Sequence, residues 1–283
     1  MDASVIVRAK NKEDTIERTL SSLRRQTVPV EIVLVDSGSA DRTVVLARRH
    51  CDRIVHLDPS EFSYGGALNV GAGAASGEIH FALSAHCAPV RRDWVELSLA
   101  HYANPLVAAT NGAGGDPRGN VLDGPYAATL ADVACDPYWG FSNHASSWRR
   151  EVWESHPFDE TMVACEDKEW AWRVMKDGYV VVFDPELTVS SEHRRRAGLR
   201  ALYSRTYREA SALRSMIDFP TWSLADATRI WWSHFPYESP RPTWVRRFSP
   251  MRLAEIGGRY LGEQAGRRRL RNASDQGRQS VRL

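Results

Sequence analysis

Val30–Val35 restricts the fold more than any other segment of this chain. It is a near-continuous apolar run that ends on Asp36 and the turn residues Ser37-Gly38-Ser39. A strand with one face in water alternates apolar and polar residues. A run without alternation belongs to a sheet covered on both faces, and such sheets are mostly parallel. The flanking segments agree. Ser4–Ala9 is a β-branched run, and Lys12–Gln26 places Ile16, Leu20 and Leu23 at helical spacing. Asp41–His50 reads as a helix, Gly65–Ser76 as a Gly/Ala-rich helix packed tightly on the sheet, Glu78–Ser84 as a buried strand and Asp93–Tyr102 as a helix. Alternation of this kind predicts an α/β fold with a Rossmann-like, mostly parallel central sheet.

The pattern changes after about residue 104. Asn111–Gly124 is polar and holds five glycines, without the Lys-Ser/Thr ending of a phosphate-binding loop, and reads as a mobile loop beside a site. Two strands are expected near Val180–Phe183 and Thr188–Ser191. Beyond residue 196 the chain reads as helices rich in aromatics, broken by Pro236, Pro240, Pro242 and Pro250. The expected domains are therefore 1–195, catalytic, and 196–283, a helical, Arg- and aromatic-rich appendage.

At 283 residues, 43% hydrophobic and 25% charged, the composition is that of an ordinary globular enzyme. No apolar run approaches the roughly 20 residues of a membrane span, and Met1-Asp2-Ala3-Ser4 leads straight into a strand without a leader. Cys51, Cys87, Cys135 and Cys165 are scattered without a Cys-x-x-Cys pair. Reduced thiols in a cytoplasmic protein are expected, and no zinc site. The net charge of +2 hides an asymmetry: residues 241–283 hold eleven Arg and three acids, +8, against −6 for the rest. With Trp244, Phe248 and Tyr260, this tail could rest on an anionic membrane surface, or simply be solvated. No nucleic-acid partner is expected.

Two features carry chemistry. Asp36 ends a parallel strand, where open sheets bind their ligands; a carboxylate there can accept hydrogen bonds from a base or ribose, or merely cap a turn. Glu166-Asp167 is a paired carboxylate at the start of a helix running through Trp170 and Arg173. Such a pair can solvate a helix end or supply a general base.

The order and spacing of several blocks resemble family 2 glycosyltransferases of the GT-A fold, over roughly residues 3–210. Ser4-Val5-Ile6-Val7-Arg8-Ala9-Lys10-Asn11 with Thr15-Ile16 and Gln26-Thr27 resembles the opening. Val35-Asp36-Ser37-Gly38-Ser39-Ala40-Asp41-Arg42-Thr43 resembles the second block, and Ala67-Leu68-Asn69-Val70-Gly71 through Gly77-Glu78 the third. Phe158-Asp159-Glu160 with Glu166-Asp167, Trp170, Arg173 and Gly178 resembles the acceptor half.

The resemblance implies a GT-A-like catalytic domain with a nucleoside-diphosphate sugar as co-substrate. Asp36 would contact the base, with the Arg8 and Ala9 backbone, Asn69 and Ser84 beside the nucleotide. Asp167 would be the catalytic base and Glu166 its neighbour. The acceptor, a small molecule, a lipid-linked species or a glycan, would meet Trp139, His144 and Trp170, with Phe141 completing an aromatic platform. The family's Asp-x-Asp-like metal element reads Leu83-Ser84-Ala85-His86-Cys87-Ala88-Pro89 here, so His86 replaces the ligand Asp, and His193 fits the place of a second ligand. A divalent cation, Mn²⁺ or Mg²⁺, would sit on the diphosphate, and imidazole suits Mn²⁺ better than Mg²⁺. Arg194, Arg195 and Arg196 could neutralise the leaving group. The implied reaction is inverting transfer. Two other readings compete. A nucleotidyltransferase would want a glycine-rich loop after the first strand, and Arg8–Lys12 has no glycine. A non-catalytic nucleotide-sugar-binding protein would explain the altered metal element but not a retained Asp167.

Overall fold

The computed structural model describes residues 1–191, 198–233 and 249–275. The chain forms two compact units, Met1–Met162 with Glu166–His193, and Val163–Cys165 with Arg194–Leu283.

The first unit is built on an eight-stranded sheet. Its strands are β1 (Ala3–Ala9), β2 (Glu31–Asp36), β3 (Arg53–His56), β4 (Ile79–Ser84), β6 (Val107–Gly112), β7 (Tyr126–Ala128), β8 (Ala145–Arg149) and β9 (Val180–Asp184). Their spatial order is β3-β2-β1-β4-β8-β6-β9-β7. β3, β2, β1 and β4 are mutually parallel; β8 runs antiparallel to both β4 and β6; β9 is parallel to β6, and β7 antiparallel to β9. Six strands thus point one way and two, β8 and β7, the other. A small antiparallel pair joins β5 (Cys87–Pro89) to β10 (Val189–Ser191).

Both faces of the sheet are buried, as the apolar run in β2 predicts. Val5, Val7, Ile32, Leu34, Phe81 and Leu83 pack on one face with Ile16, Leu20 and Leu23 of α1 (Ile16–Arg24) and with Trp94 and Val95 of α4 (Trp94–His101). Ile6, Val35 and Ala82 face the other side. They meet Ala67, Leu68 and Ala72 of α3 (Tyr64–Ala74), Val152 of α6 (Arg150–Ser155), and Trp170 and Val174 of α7 (Glu166–Lys176). The glycines of α3 let it lie close to the strands: a Cβ on Gly71 would stand 2.4 Å from Ile6 and 3.0 Å from Val35. Only five residues of the segment after β2 form helix, α2 (Thr43–Ala47). The Asn111–Gly124 loop is held by its own hydrogen bonds. Asp116 accepts the N–H groups of Arg118 and Asn120 at 2.9 and 2.8 Å. α5 (Leu130–Cys135) follows β7 and opens with a capping box between Thr129 and Asp132.

The second unit contains α8 (Leu199–Met216), α9 (Leu224–Ser233) and α10 (Pro250–Asp275). Gly258, Gly262 and Gly266 form an i, i+4 ridge on α10. A Cβ on them would stand 2.7, 2.4 and 2.5 Å from the carbonyl oxygens of Tyr203, Tyr207 and Ser211 of α8. Contact positions rise together along both helices, so α8 and α10 run parallel. Glu263, fully buried, accepts the Trp222 N–H at 2.7 Å. No described helix is long and apolar enough to cross a membrane.

Candidate active site

One edge of the sheet collects the polar groups. The parallel strands end there on Ala9, Asp36 and Ser84, and the antiparallel β8 begins there, with Leu83 paired to Ala145. The Ser84 N–H donates to the His144 carbonyl at 2.9 Å, which carries the ladder one step beyond the strand.

Asp36 is buried, 2% exposed, at the end of β2. Its carboxylate accepts the Ser39 N–H at 3.2–3.3 Å, and His56 Nδ1 lies 3.6 Å away. Gly38 between them has φ +79°, a left-handed turn, and a Cβ there would stand 2.5 Å from Pro59. The loop after β1 is knitted to this turn: Asn11 accepts the Ala40 N–H at 2.9 Å, and Ser39 accepts the Asn11 N–H at 3.0 Å. The Ser37 N–H donates to the Ala9 carbonyl at 3.0 Å, so Ala9 and Asp36 are adjacent.

The carboxylate pair opens α7, after Cys165 at φ +64°. Asp167 is half-buried and accepts two backbone N–H groups, from Asn143 at 3.2 Å and from Lys168 at 2.8 Å. Glu166 is 5% exposed. Burial first, then the Asp167 charge, push its carboxyl up to about 7, while Arg8 pulls the other way. Arg8 reaches across from β1, its Nη1 3.9 Å from Glu166 Oε1. The same guanidinium donates to the carbonyls of Tyr64 at 3.3 Å and Asn143 at 3.1 Å. Burial draws Arg8 down from its ordinary value, and Glu166 and Asp167 offset this; a guanidinium remains charged throughout.

Asn143 is the joint of this cluster and carries no signal in the sequence. Its N–H holds Asp167, its carbonyl holds Arg8, and its buried side-chain Nδ2 closes no hydrogen bond among the described residues. Its side chain also favours the charged form of Glu166. Arg8 was legible in a different role. The sequence points to its backbone, whereas the structure engages its side chain. A charge next to the end of an otherwise buried strand is itself a signal, because such a group must find a partner.

The other expected residues differ in how much of their surface is left open. Asn69 spends its whole amide on protein: Nδ2 donates to the Phe158 carbonyl at 2.9 Å and to Glu160 at 2.8 Å, and Oδ1 accepts from Trp153 and the Phe158 N–H at 2.9 and 3.0 Å. It holds the turn before α7. Trp170 is a correction: it is fully buried, packs on Phe141 and Phe158, and donates Nε1 to the His156 carbonyl at 2.6 Å. An indole with no exposed surface offers an acceptor no face. Phe141, 1% exposed, is core for the same reason. Trp139 is half-buried against Phe183, ring centroids 4.2 Å apart, with Nε1 bonded to the Gly115 carbonyl at 2.9 Å. His144 is exposed, 3.4 Å from Ser142 Oγ through Nδ1.

His86 is half-buried in the turn between β4 and β5. Ser191 pairs with Cys87 beside it; His193 and Arg194–Arg196 lie outside the described residues. Among the described residues no group of three or more His, Cys, Asp or Glu side chains could hold a metal ion. One imidazole and no carboxylate at this turn do not by themselves hold a divalent cation.

The family model described as glycosyl transferase family 2 matches residues 4–152, more than half of the chain. A pre-mycofactocin glycosyltransferase of Mycobacterium tuberculosis is 25% identical over 207 residues, 68% of this chain and 43% of that protein. The chain thus spans less than half of that relative's length. An O-antigen chain rhamnosyltransferase, RfbN, of Salmonella typhimurium is 24% identical over 213 residues, 68% of this chain and 67% of that one. The solved mannosyltransferase PcManGT of Pyrobaculum calidifontis, in complex with GDP-Man and Mn²⁺, superposes with a TM-score of 0.60 at 21% identity, covering 96% of this chain and 75% of that one. At that identity the likeness shows the fold.

Proposed function

Since the chain belongs to glycosyl transferase family 2 and has the GT-A fold, we propose that it is an inverting glycosyltransferase. It moves a sugar from a nucleoside-diphosphate donor to an acceptor nucleophile, with Asp167 as general base. The observation that carries this reading is the placement of Asp167. Its carboxylate is fixed by two backbone N–H groups at the start of α7, on the edge where Ala9, Asp36 and Ser84 also end.

The donor base or ribose lies against Asp36 and the Gly38 turn. The acceptor hydroxyl faces Asp167, which takes its proton as the nucleophile attacks the anomeric carbon and the bond to the diphosphate breaks. One displacement with one base inverts the configuration. Glu166 is the less accessible of the pair: it is more deeply buried and stands beside Arg8. Arg8 keeps a positive charge next to both carboxylates and limits their mutual repulsion.

A thermal-shift screen of nucleotide sugars tests donor binding, since a ligand at one hundred times its dissociation constant stabilises the fold by about 2.7 kcal/mol. Release of the nucleoside diphosphate with an acceptor present then tests transfer. The altered metal turn favours one second reading, a nucleotide-sugar-binding protein without transfer; donor binding with neither transfer nor hydrolysis across an acceptor panel would select it.

We propose, too, that α10 leads a peripheral contact with anionic lipid. Arg267, Arg268, Arg269 and Arg271 are exposed on it, as are Leu253 and Leu261; Trp244 and Phe248 of the same tail lie outside the described residues. Sedimentation with anionic liposomes should fall as salt rises. Equal sedimentation with neutral liposomes would remove the idea.

A further inference from the structure

The sequence points to an aromatic platform at Trp139, Phe141 and Trp170, and the structure buries most of it. Two other rings are left in water beside the cluster. Phe62 is 39% and Tyr64 42% exposed, and among the described residues of the α/β unit no other Phe, Tyr or Trp side chain is exposed to this degree. They touch each other edge to face, centroids 5.2 Å apart at 73°. Large rings left together on a surface forgo the burial that stabilises every other aromatic in this unit, and such patches mark binding sites more often than single exposed residues do.

Their position is set by the backbone on both sides. The loop that carries them starts at the Asp36 turn, where the Leu57 N–H donates to the Asp36 carbonyl at 2.9 Å and Pro59 abuts Gly38. It ends at α3, where Ser63 accepts the Gly66 N–H at 2.9 Å and fixes the first turn. Tyr64 is also tied to the carboxylates. Arg8, beside Glu166, donates to its carbonyl at 3.3 Å and lies 5.9 Å from its ring centroid. The loop therefore runs from the expected base or ribose contact to the expected transfer point, and the rings stand at the second end.

We infer that Phe62 and Tyr64 form a stacking wall for a pyranose ring held next to Glu166-Asp167. A pyranose has an apolar C–H face rimmed by hydroxyls. An aromatic face, negative at its centre, suits polarised C–H groups, and the Tyr64 hydroxyl, which has no hydrogen-bond partner among the described residues, can bond a rim hydroxyl. The ring comes either from the donor or from the acceptor. The chemistry is the same for both, and the inference rests on the glycosyl-transfer reading of this edge.

The test uses the full chain, with Phe62→Ala, Tyr64→Leu and Tyr64→Phe. Each leaves the Tyr64 carbonyl for Arg8, and each variant's melting temperature is measured first. Calorimetry with UDP and GDP, and with UDP-GlcNAc and GDP-mannose, reads the sugar's share of donor binding. Saturation-transfer NMR with a panel of methyl pyranosides reads acceptor-type rings and needs no nucleotide. For a donor ring, nucleotide-sugar affinity falls roughly three- to tenfold in Phe62→Ala and Tyr64→Leu while nucleoside diphosphate affinity holds. For an acceptor ring, pyranoside saturation fades in the same variants. Tyr64→Phe retains most of either signal. Unchanged sugar binding in both arms overturns the inference, as does wild-type protein that binds no sugar in either arm. An equal loss for UDP or GDP alone also overturns it and gives the rings to the nucleobase. If the wild type binds pyranosides but no nucleotide, the transferase reading fails while the wall stands.

Discussion

The two halves of the sheet contribute to the candidate site by different devices. In β3-β2-β1-β4 every strand runs the same way, so their carboxyl ends share one edge. They deliver main chain, one buried carboxylate and one guanidinium: Ala9, Ser84 and the tight Gly38 turn, with the side chains of Asp36 and Arg8. In the mixed half, β8 runs the opposite way and offers its start to the same edge, while the reactive side chains come from the first turn of α7. Strand ends are rigid and placed by the ladder. A helix start is placed by whatever grips it, and here the grip is Asn143, holding Asp167 with its N–H and Arg8 with its carbonyl. On the proposed mechanism the parallel half binds and the mixed half reacts. Substitutions in the two halves should therefore separate affinity from rate.

The largest separation belongs to Asp167. Asp167→Asn keeps the size and an acceptor oxygen for one of the two backbone N–H groups, but removes the proton acceptor. Transfer should fall by roughly 10²–10⁴, with nucleoside diphosphate affinity unchanged. Were Asp167 only a helix cap, Asn would replace it well, and near-normal turnover would end the division of labour at its strongest point. Asp36→Ala is the converse and the next in size. A lost charge-assisted hydrogen bond is worth about 1–3 kcal/mol, roughly 5- to 150-fold in nucleoside diphosphate affinity. Calorimetry on a folded variant that showed no loss would take the nucleotide away from β2.

How much of this could be read beforehand follows the same division. β1, β2, β4 and the helices on them are legible because parallel strands buried on both faces have little freedom of composition: Val5, Ile6 and Val7 must all be apolar. β6 and β8 are not. Ala108 and Ala109 are small, and Thr110, Ser146 and Ser147 are polar, yet every one is buried. The Thr110 and Ser147 hydroxyls are satisfied by one another and by Ser98 and Tyr102, with Ser147 Oγ 2.7 Å from both Thr110 Oγ1 and Tyr102 Oη, while Ser146 donates to Asn143 Oδ1 at 3.5 Å. A hydroxyl network removes the apolar signal that periodicity reads. Asp36 and Glu166-Asp167 were visible as charges in suggestive places. The Arg8 contact, the Asn143 joint and the exposed Phe62–Tyr64 pair arise only when β1, β8 and the loop before α3 meet. The same holds for the α10 glycines. Gly258, Gly262 and Gly266 read as weak helix formers until α8 supplies the backbone they press on.

A smaller effect bears on the turn where the halves join, between β4 and β5. If a divalent ion serves the diphosphate there, His86 is the donor the described residues bring. Transfer should be faster with Mn²⁺ than with Mg²⁺, and His86→Ala should erase that preference. An undiminished rate in excess chelator would show that the diphosphate leaves without metal at this turn.

The smallest effect is on stability, and there the two halves should respond to pH with opposite signs. Glu166 is a carboxyl raised from 4.5 to about 7 by burial and by Asp167. Between those values the folded chain binds more protons than the unfolded one, so this group makes the protein less stable as pH rises from 4.5 to 7. His80 in β4 does the reverse. It is fully buried against Trp148 and Trp153, neither ring nitrogen has a hydrogen-bond partner among the described residues, and burial with the nearby Arg150 lowers it from 6.5 to about 4. Here the unfolded chain binds the extra proton, so the stability present above 6.5 is lost as pH falls towards 4. Melting temperatures from pH 4 to 8 for wild type, Glu166→Gln and His80→Phe distinguish the two. Relative to wild type, Glu166→Gln should gain stability as pH rises through its window, and His80→Phe should gain it as pH falls through the other. Curves parallel to wild type for Glu166→Gln would mean that Arg8 cancels the burial of the carboxylate. The strong coupling on the reactive side would then give way to an ordinary buried ion pair.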